Sequence, residues 1–240
     1  MTGVPEIFDR PSPNRDARPD GTQIDILLLH YTGMRTAEAA LERLTDSAAK
    51  VSAHYLIEEN GTCWRLVGEE QRAWHAGVAS WAGASDINAR SIGIELVNPG
   101  HQFGYRRFPP AQMQSLSALS LDIIARREIP QSRVLGHSDV APERKEDPGE
   151  LFDWAGLAKS GVGLWPEPSP SSRSDMAFEE AMRLLSHIGY AAPETQVMNA
   201  GARNILLAFQ RRWLPSDLTG ALTPETAARI RDVHAAHNPS

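Results

Sequence analysis

The sequence is poor in cysteine, in lysine, in long apolar runs and in blocks of like charge. One cysteine, Cys63, in 240 residues excludes an internal disulfide framework and a multi-cysteine zinc cage. No apolar stretch approaches the ~20 residues of a membrane helix. The first 23 residues, MTGVPEIFDRPSPNRDARPDGTQ, lack the apolar run of about seven or more residues that forms a signal-peptide core. The expectation is therefore a cytoplasmic protein without integral membrane association, with a periplasmic or exported location as the alternative, and a monomer. A net charge of −6 with no basic block argues against nucleic acid as a partner. Lysine is scarcest. Of 24 basic residues only Lys50, Lys145 and Lys159 are lysine, so each stands where arginine was the default.

What is present reads as α/β. Ile24 to Leu29 is a short apolar run that stops at His30-Tyr31-Thr32-Gly33, as a buried strand entering a polar loop would. Thr36 to about Ala49 has an N-cap followed by helix formers. His54 to Ile57 and Cys63 to Val67 flank Asn60-Gly61, a strong hairpin signal. In Ser91 to Val97, Ile92, Ile94 and Leu96 fall on one face and Ser91, Gly93 and Glu95 on the other. Pro109-Pro110 opens a helix to about Arg127, and Arg133 to Gly136 is a strand that delivers His137. The expected fold is a mixed central sheet flanked by helices over residues 1–166, begun by an extended N-terminal arm. A Pro/Ser linker follows at 167–174. Helices at about 175–188, 200–213 and 223–236 then form a small three-helix bundle in 175–240.

His30 and His137 each follow a strand directly, and strand ends are where α/β proteins assemble sites. With one carboxylate from the loop after His137 they would make three ligands and an open position, the pattern of catalytic zinc. Spacing leaves that carboxylate open among Asp139, Glu143, Glu146 and Asp147. The other histidines read more plainly: His54 and His75 as packing or supporting groups, and His101, His187, His234 and His237 as surface. Cys63 reads as a small buried apolar residue, and Asp139 as a residue that orients its loop.

HYTG after a strand, VSAHYLI, AWHAG, SIGIELVN and GHSDVAPERKEDPG occur in one order over about residues 5–166. Together they resemble the zinc N-acetylmuramoyl-L-alanine amidases of the AmpD/AmiD type, related in fold to peptidoglycan recognition proteins. The resemblance implies zinc held by His30, His137 and Asp147, and catalytic roles for Glu95 and Lys145. It implies a peptidoglycan or muropeptide substrate, cut at the amide joining muramic acid to L-alanine. Lys50, Tyr31, Trp74, Asn88 and Ala141 are then candidate substrate-binding residues. Two departures stand out. Some cytosolic members carry arginine where this chain has Asp86. Related recognition proteins and phage enzymes have a catalytic tyrosine where it has Ala53, which leaves proton handling to Glu95. The stretch AFQRRWLPSDLTGALTPETAARI resembles a peptidoglycan-binding module through Phe209, Gln210, Trp213, Gly220, Thr223 and Thr226. The alternatives are a non-catalytic peptidoglycan binder on the same fold, which typically lacks a metal ligand, and a zinc hydrolase of another amide.

Overall fold

A computed structural model describes residues 3–169 and 175–237; part of the expected linker lies outside them. The N-terminal arm makes two short strands, β1 (Ile7–Asp9) and β2 (Arg15–Ala17). The apolar run becomes β3 (Ile26–Tyr31), followed by helix α1 (Ala37–Thr45). The Asn-Gly turn joins β4 (Tyr55–Ile57) to β5 (Cys63–Arg65), and β6 (Gln71–Ala73) follows. A short helix α2 (Ile87–Arg90) leads into β7 (Ser91–Leu96). Next come α3 (Gly100–Phe103), the long α4 (Pro110–Arg127) and β8 (Val134–Gly136). His137 begins a single turn, α5 (His137–Val140), and α6 (Trp154–Lys159) closes this part of the chain. The last three helices are α7 (Phe178–Ile188), α8 (Ala200–Trp213) and α9 (Pro224–His237).

The main sheet has the order β1-β5-β4-β7-β3-β8. The β4–β5 hairpin is antiparallel and the other neighbours run parallel. β2 and β6 form a separate antiparallel ribbon. Strand alternation sorts the side chains onto two faces. Leu27, Leu29, Ile92, Ile94 and Leu96 pack with Leu116, Leu119 and Ile123 of α4. Ile26, Leu28 and Leu135 look the other way, into a cluster shared with Leu185 of α7, Phe209 of α8 and Ile230 of α9. The C-terminal helices therefore bury their apolar stripes partly against the sheet.

Two local differences have physical causes. α1 ends at Thr45, short of the expected Ala49. Asp46 turns extended and its Oδ1 accepts from Ala48 N at 2.9 Å, the side-chain turn by which Asp competes with helix. His237, expected on the surface, packs on the Trp213 ring. Most of the residues that carry the resemblance to a peptidoglycan-binding module are buried, with Thr223 partly exposed. Phe209, Gln210 and Thr226 are fully buried. Gln210 Nε2 donates to Ala221 O and Thr226 Oγ1, and its Oε1 accepts from Gly220 N.

Candidate active site

His30 and Glu95 are register partners on adjacent parallel strands β3 and β7. Register partners share a face, so both leave the sheet on the side away from α4. His137 arrives from β8, on the other side of β3, and Asp147 from the loop beyond α5. The tight approach of that loop to the strand end needs Gly136, where a Cβ would lie 2.8 Å from the Pro148 ring.

Three ligand atoms converge. His30 Nδ1 is 2.9 Å from His137 Nδ1 and 3.1 Å from Asp147 Oδ2, and His137 Nδ1 is 3.0 Å from the same oxygen. All three residues are buried. The surrounding hydrogen bonds assign the tautomers. His137 Nε2 is 3.0 Å from the carbonyl of Ala76, so that nitrogen carries the proton and Nδ1 a lone pair. Ser91 Oγ donates to Ile87 O, so it can only accept from His75 Nε2, 3.3 Å away. His75 Nδ1 is then an acceptor, and the group 3.0 Å from it, His30 Nε2, is the donor. His30 Nδ1 is left bare as well. Two lone pairs and a carboxylate oxygen that face each other at such distances repel unless a cation lies between them. The group His30, His137 and Asp147 is thus able to hold a metal ion, and its donor set suits zinc.

The electrostatics agree. Burial, with the neighbouring His137, holds His30 neutral, its pKa down at about 4. Glu95 moves the other way. Burial, reinforced by the Asp147 charge, pushes it well above the ordinary carboxylate value, with Lys145 pulling against that shift. Its Oε2 is buried without a hydrogen-bond partner among the described residues.

These groups open on a cavity of about 340 Å³ whose walls include Tyr31, Glu95, His137, Lys145 and Asp147. The other expected substrate residues lie elsewhere. Lys50 is exposed, and its neighbour Val51 lines the cavity instead. Trp74 turns to the ribbon, where Nε1 donates to Asp16 Oδ2. Asn88 is buried, and its Oδ1 accepts from the backbone of His75 and Ala76 at 3.0 and 2.8 Å. It holds the segment that presents His75. Ala141 is buried and its carbonyl accepts from Arg144 N and Lys145 N, so it shapes the loop. Asp86, one of the two departures, caps α2 and pairs with Arg72. The sequence reading missed Arg43 and Arg144, which also line the cavity. Arg43 looks like any exposed helix residue. Arg144 reaches the carbonyls of Ala76 and Val78, which only the folded loop brings near.

Histidines from two strand ends, a loop carboxylate and a buried, unpartnered glutamate on one open cavity define the class: an α/β protein equipped for metal-assisted hydrolysis. The family model for N-acetylmuramoyl-L-alanine amidase matches residues 20–150. The chain is 37% identical over 236 residues to the N-acetylmuramoyl-L-alanine amidase AmiD of Escherichia coli, spanning 89% of this chain and 83% of that one. It is 35% identical over 161 residues to the 1,6-anhydro-N-acetylmuramyl-L-alanine amidase AmpD of Haemophilus influenzae, across 60% of this chain and 85% of that one. The solved complex of E. coli AmiD with anhydro-N-acetylmuramic acid-L-Ala-D-gamma-Glu-L-Lys is similar at a TM-score of 0.79 and 34% identity, over 90% of this chain and 91% of that one. The chain belongs to the N-acetylmuramoyl-L-alanine amidase family.

Proposed function

We propose that this protein hydrolyses the amide between N-acetylmuramic acid, or its 1,6-anhydro form, and L-alanine, with zinc held by His30, His137 and Asp147. The carrying observation is the convergence of three electron-pair donors beside Glu95. Zinc at that point would polarise the amide carbonyl and acidify the attacking water. Every other step falls to the chain. Glu95 takes the proton from the water and passes it to the departing nitrogen of alanine. Burial raises this carboxyl above the ordinary carboxylate range, which makes it a stronger proton acceptor for the first transfer. Lys145 lines the same cavity, and its ammonium stabilises the negative charge that grows on the carbonyl oxygen. His75 holds His30 in the tautomer that leaves Nδ1 free, a supporting bond of the kind that orients metal ligands. Tyr31 forms part of the wall, and Arg43 offers a cation to a stem-peptide carboxylate.

The substrate form takes its support from relatives. The E. coli AmiD complex contains anhydro-N-acetylmuramic acid-L-Ala-D-gamma-Glu-L-Lys, and the H. influenzae relative is a 1,6-anhydro-N-acetylmuramyl-L-alanine amidase. The complete pair of histidines with a carboxylate argues against a binding-only protein.

Mass spectrometry of products from intact sacculi and from anhydromuramoyl-tripeptide tests the reading. Peptide starting at L-alanine should be released, release should stop with chelator, and zinc should restore it. Glu95→Ala should lower kcat by about 10²-fold or more with zinc still bound. Chelator-resistant turnover, or full turnover in His137→Ala, would contradict the metal assignment.

A further inference from the structure

The end of α8 reaches the loop that carries the chemistry. Consecutive helix residues project about 100° apart, so Arg211 and Arg212 grip different places. Arg212 Nη1 donates to Asp139 Oδ2 at 2.7 Å in a fully buried pair, beside the start of α5. Arg211 reaches the other end. Its Nη2 donates to Glu146 Oε1 at 3.1 Å, and its Nε lies 3.6 Å from Glu150 Oε2. Glu146 sits between Lys145 and Asp147 in a stretch without helix or strand. Backbone bonds brace the residues on either side: Lys145 N donates to Ala141 O, and Ser138 N to Asp147 O. Glu146 is tied through its side chain, to Arg211 and, at 3.7 Å, to His101. His101 also pairs with Glu150, and its Nδ1 lies 2.9 Å from the hydroxyl of Tyr31 on the cavity wall.

We propose that Arg211 is a positioning residue for the amide hydrolysis. It holds Glu146, and through it keeps Lys145 and Asp147 in place on the cavity. The inference rests on the amidase reading above. Arg211 is 9% exposed, so its charge is committed to the two glutamates. Without it, Glu146 and Glu150 lose their shared arginine and are left to His101. Two carboxylates that shared one arginine repel each other, and Glu146, half exposed at its side chain, is then held only by the longer contact to His101. The residues on either side of it move with the backbone. The contact therefore links the C-terminal helices to the reaction itself, which gives them a task other than wall binding.

The test uses the full chain as Arg211→Met, Arg211→Lys, Glu146→Gln and the Arg211→Met/Glu146→Gln double variant. Zinc affinity is read by competition with a chromogenic chelator. kcat and KM are read on anhydromuramoyl-tripeptide, and thermal unfolding on zinc-stripped protein. Arg211→Met should lower kcat and weaken zinc binding by about tenfold each, the size typical of lost support around a metal ligand, while KM stays within about twofold. Glu146→Gln should reproduce this, Arg211→Lys should recover part of it, and the double variant should be no worse than Arg211→Met alone. Unchanged kcat and zinc affinity in Arg211→Met overturns the proposal. So do additive losses in the double variant, or losses in step with Tm that Arg211→Lys does not relieve. Should Arg211→Met fail to fold, Glu146→Gln decides the matter by the same kcat and zinc criteria. If the wild-type protein neither binds zinc nor releases peptide, the amidase reading fails instead.

Discussion

Gly93 shows how a single missing atom serves the site. It lies on the face of β7 that carries Glu95, and a Cβ there would meet His75 Nδ1 at 2.5 Å and Cγ at 2.6 Å. His75 is buried and bonded at both ring nitrogens, so it has nowhere to go. The absent side chain lets His75 lie flat against the strand and fix the tautomer of His30. Gly93→Ala should therefore cost about 1–3 kcal/mol by overpacking and weaken zinc binding through His30. Urea unfolding with a parallel zinc titration measures both; an alanine variant with wild-type stability and zinc affinity would refute this role. Asn88 is the opposite case. A polar residue in a recognisable motif suggested a substrate contact, but its amide oxygen is spent on two backbone donors. Side-chain chemistry is visible in a sequence, whereas which partners consume it is not.

Among the elements, α1 links stability to the cavity. Its inner face puts Ala40, Leu41 and Leu44 into a cluster with Leu56, Leu66 and Val97, and Arg43, just before Leu44, reaches the cavity. The helix is nine residues long, too short to be stable alone, so its cap matters. Thr36 Oγ1 accepts from Ala39 N at 3.2 Å. Thr36→Ala should destabilise the protein by about 1 kcal/mol, and Thr36→Ser should recover most of that. Chemical denaturation of the three proteins checks the order. kcat should hardly change, because Thr36 is not among the residues that line the cavity.

At the scale of the molecule, the C-terminal helices and the sheet share a core. Ile26 and Leu28 of β3 lie in one cluster with Leu185, Phe209 and Ile230. Above it, Arg212 is bonded to Asp139, and its guanidinium lies 4.2 Å from the centre of the Trp154 ring and 4.4 Å from that of Trp213. Tyr190 donates to the other oxygen of Asp139 at 2.6 Å. Removing one partner of such a buried pair leaves an uncompensated charge and costs about 3–5 kcal/mol. Calorimetry of the intact chain should show one cooperative transition, and Arg212→Met should lower its Tm without splitting it. Two resolved transitions in the wild type would mean that the helices unfold as a separate unit.

Local order along the chain was open to reading from residues alone. The strands and helices follow from alternation, caps and the Asn-Gly turn, because those signals act between near neighbours. His30 and His137 stood out as residues at strand ends, and motif resemblance singled out Asp147. Spacing by itself left four carboxylates in play, and folding chose Asp147 by bringing its oxygen within about 3 Å of both imidazoles. The wall residues Arg43 and Arg144, the hold of His75 on His30, and the grip of α8 on the loop that carries Lys145 and Asp147 came only with the tertiary structure. They join positions such as 45 residues apart for His30 and His75, and 65 for Glu146 and Arg211. A sequence pattern records what each residue can donate, accept or bury; only chain closure decides which distant group receives it.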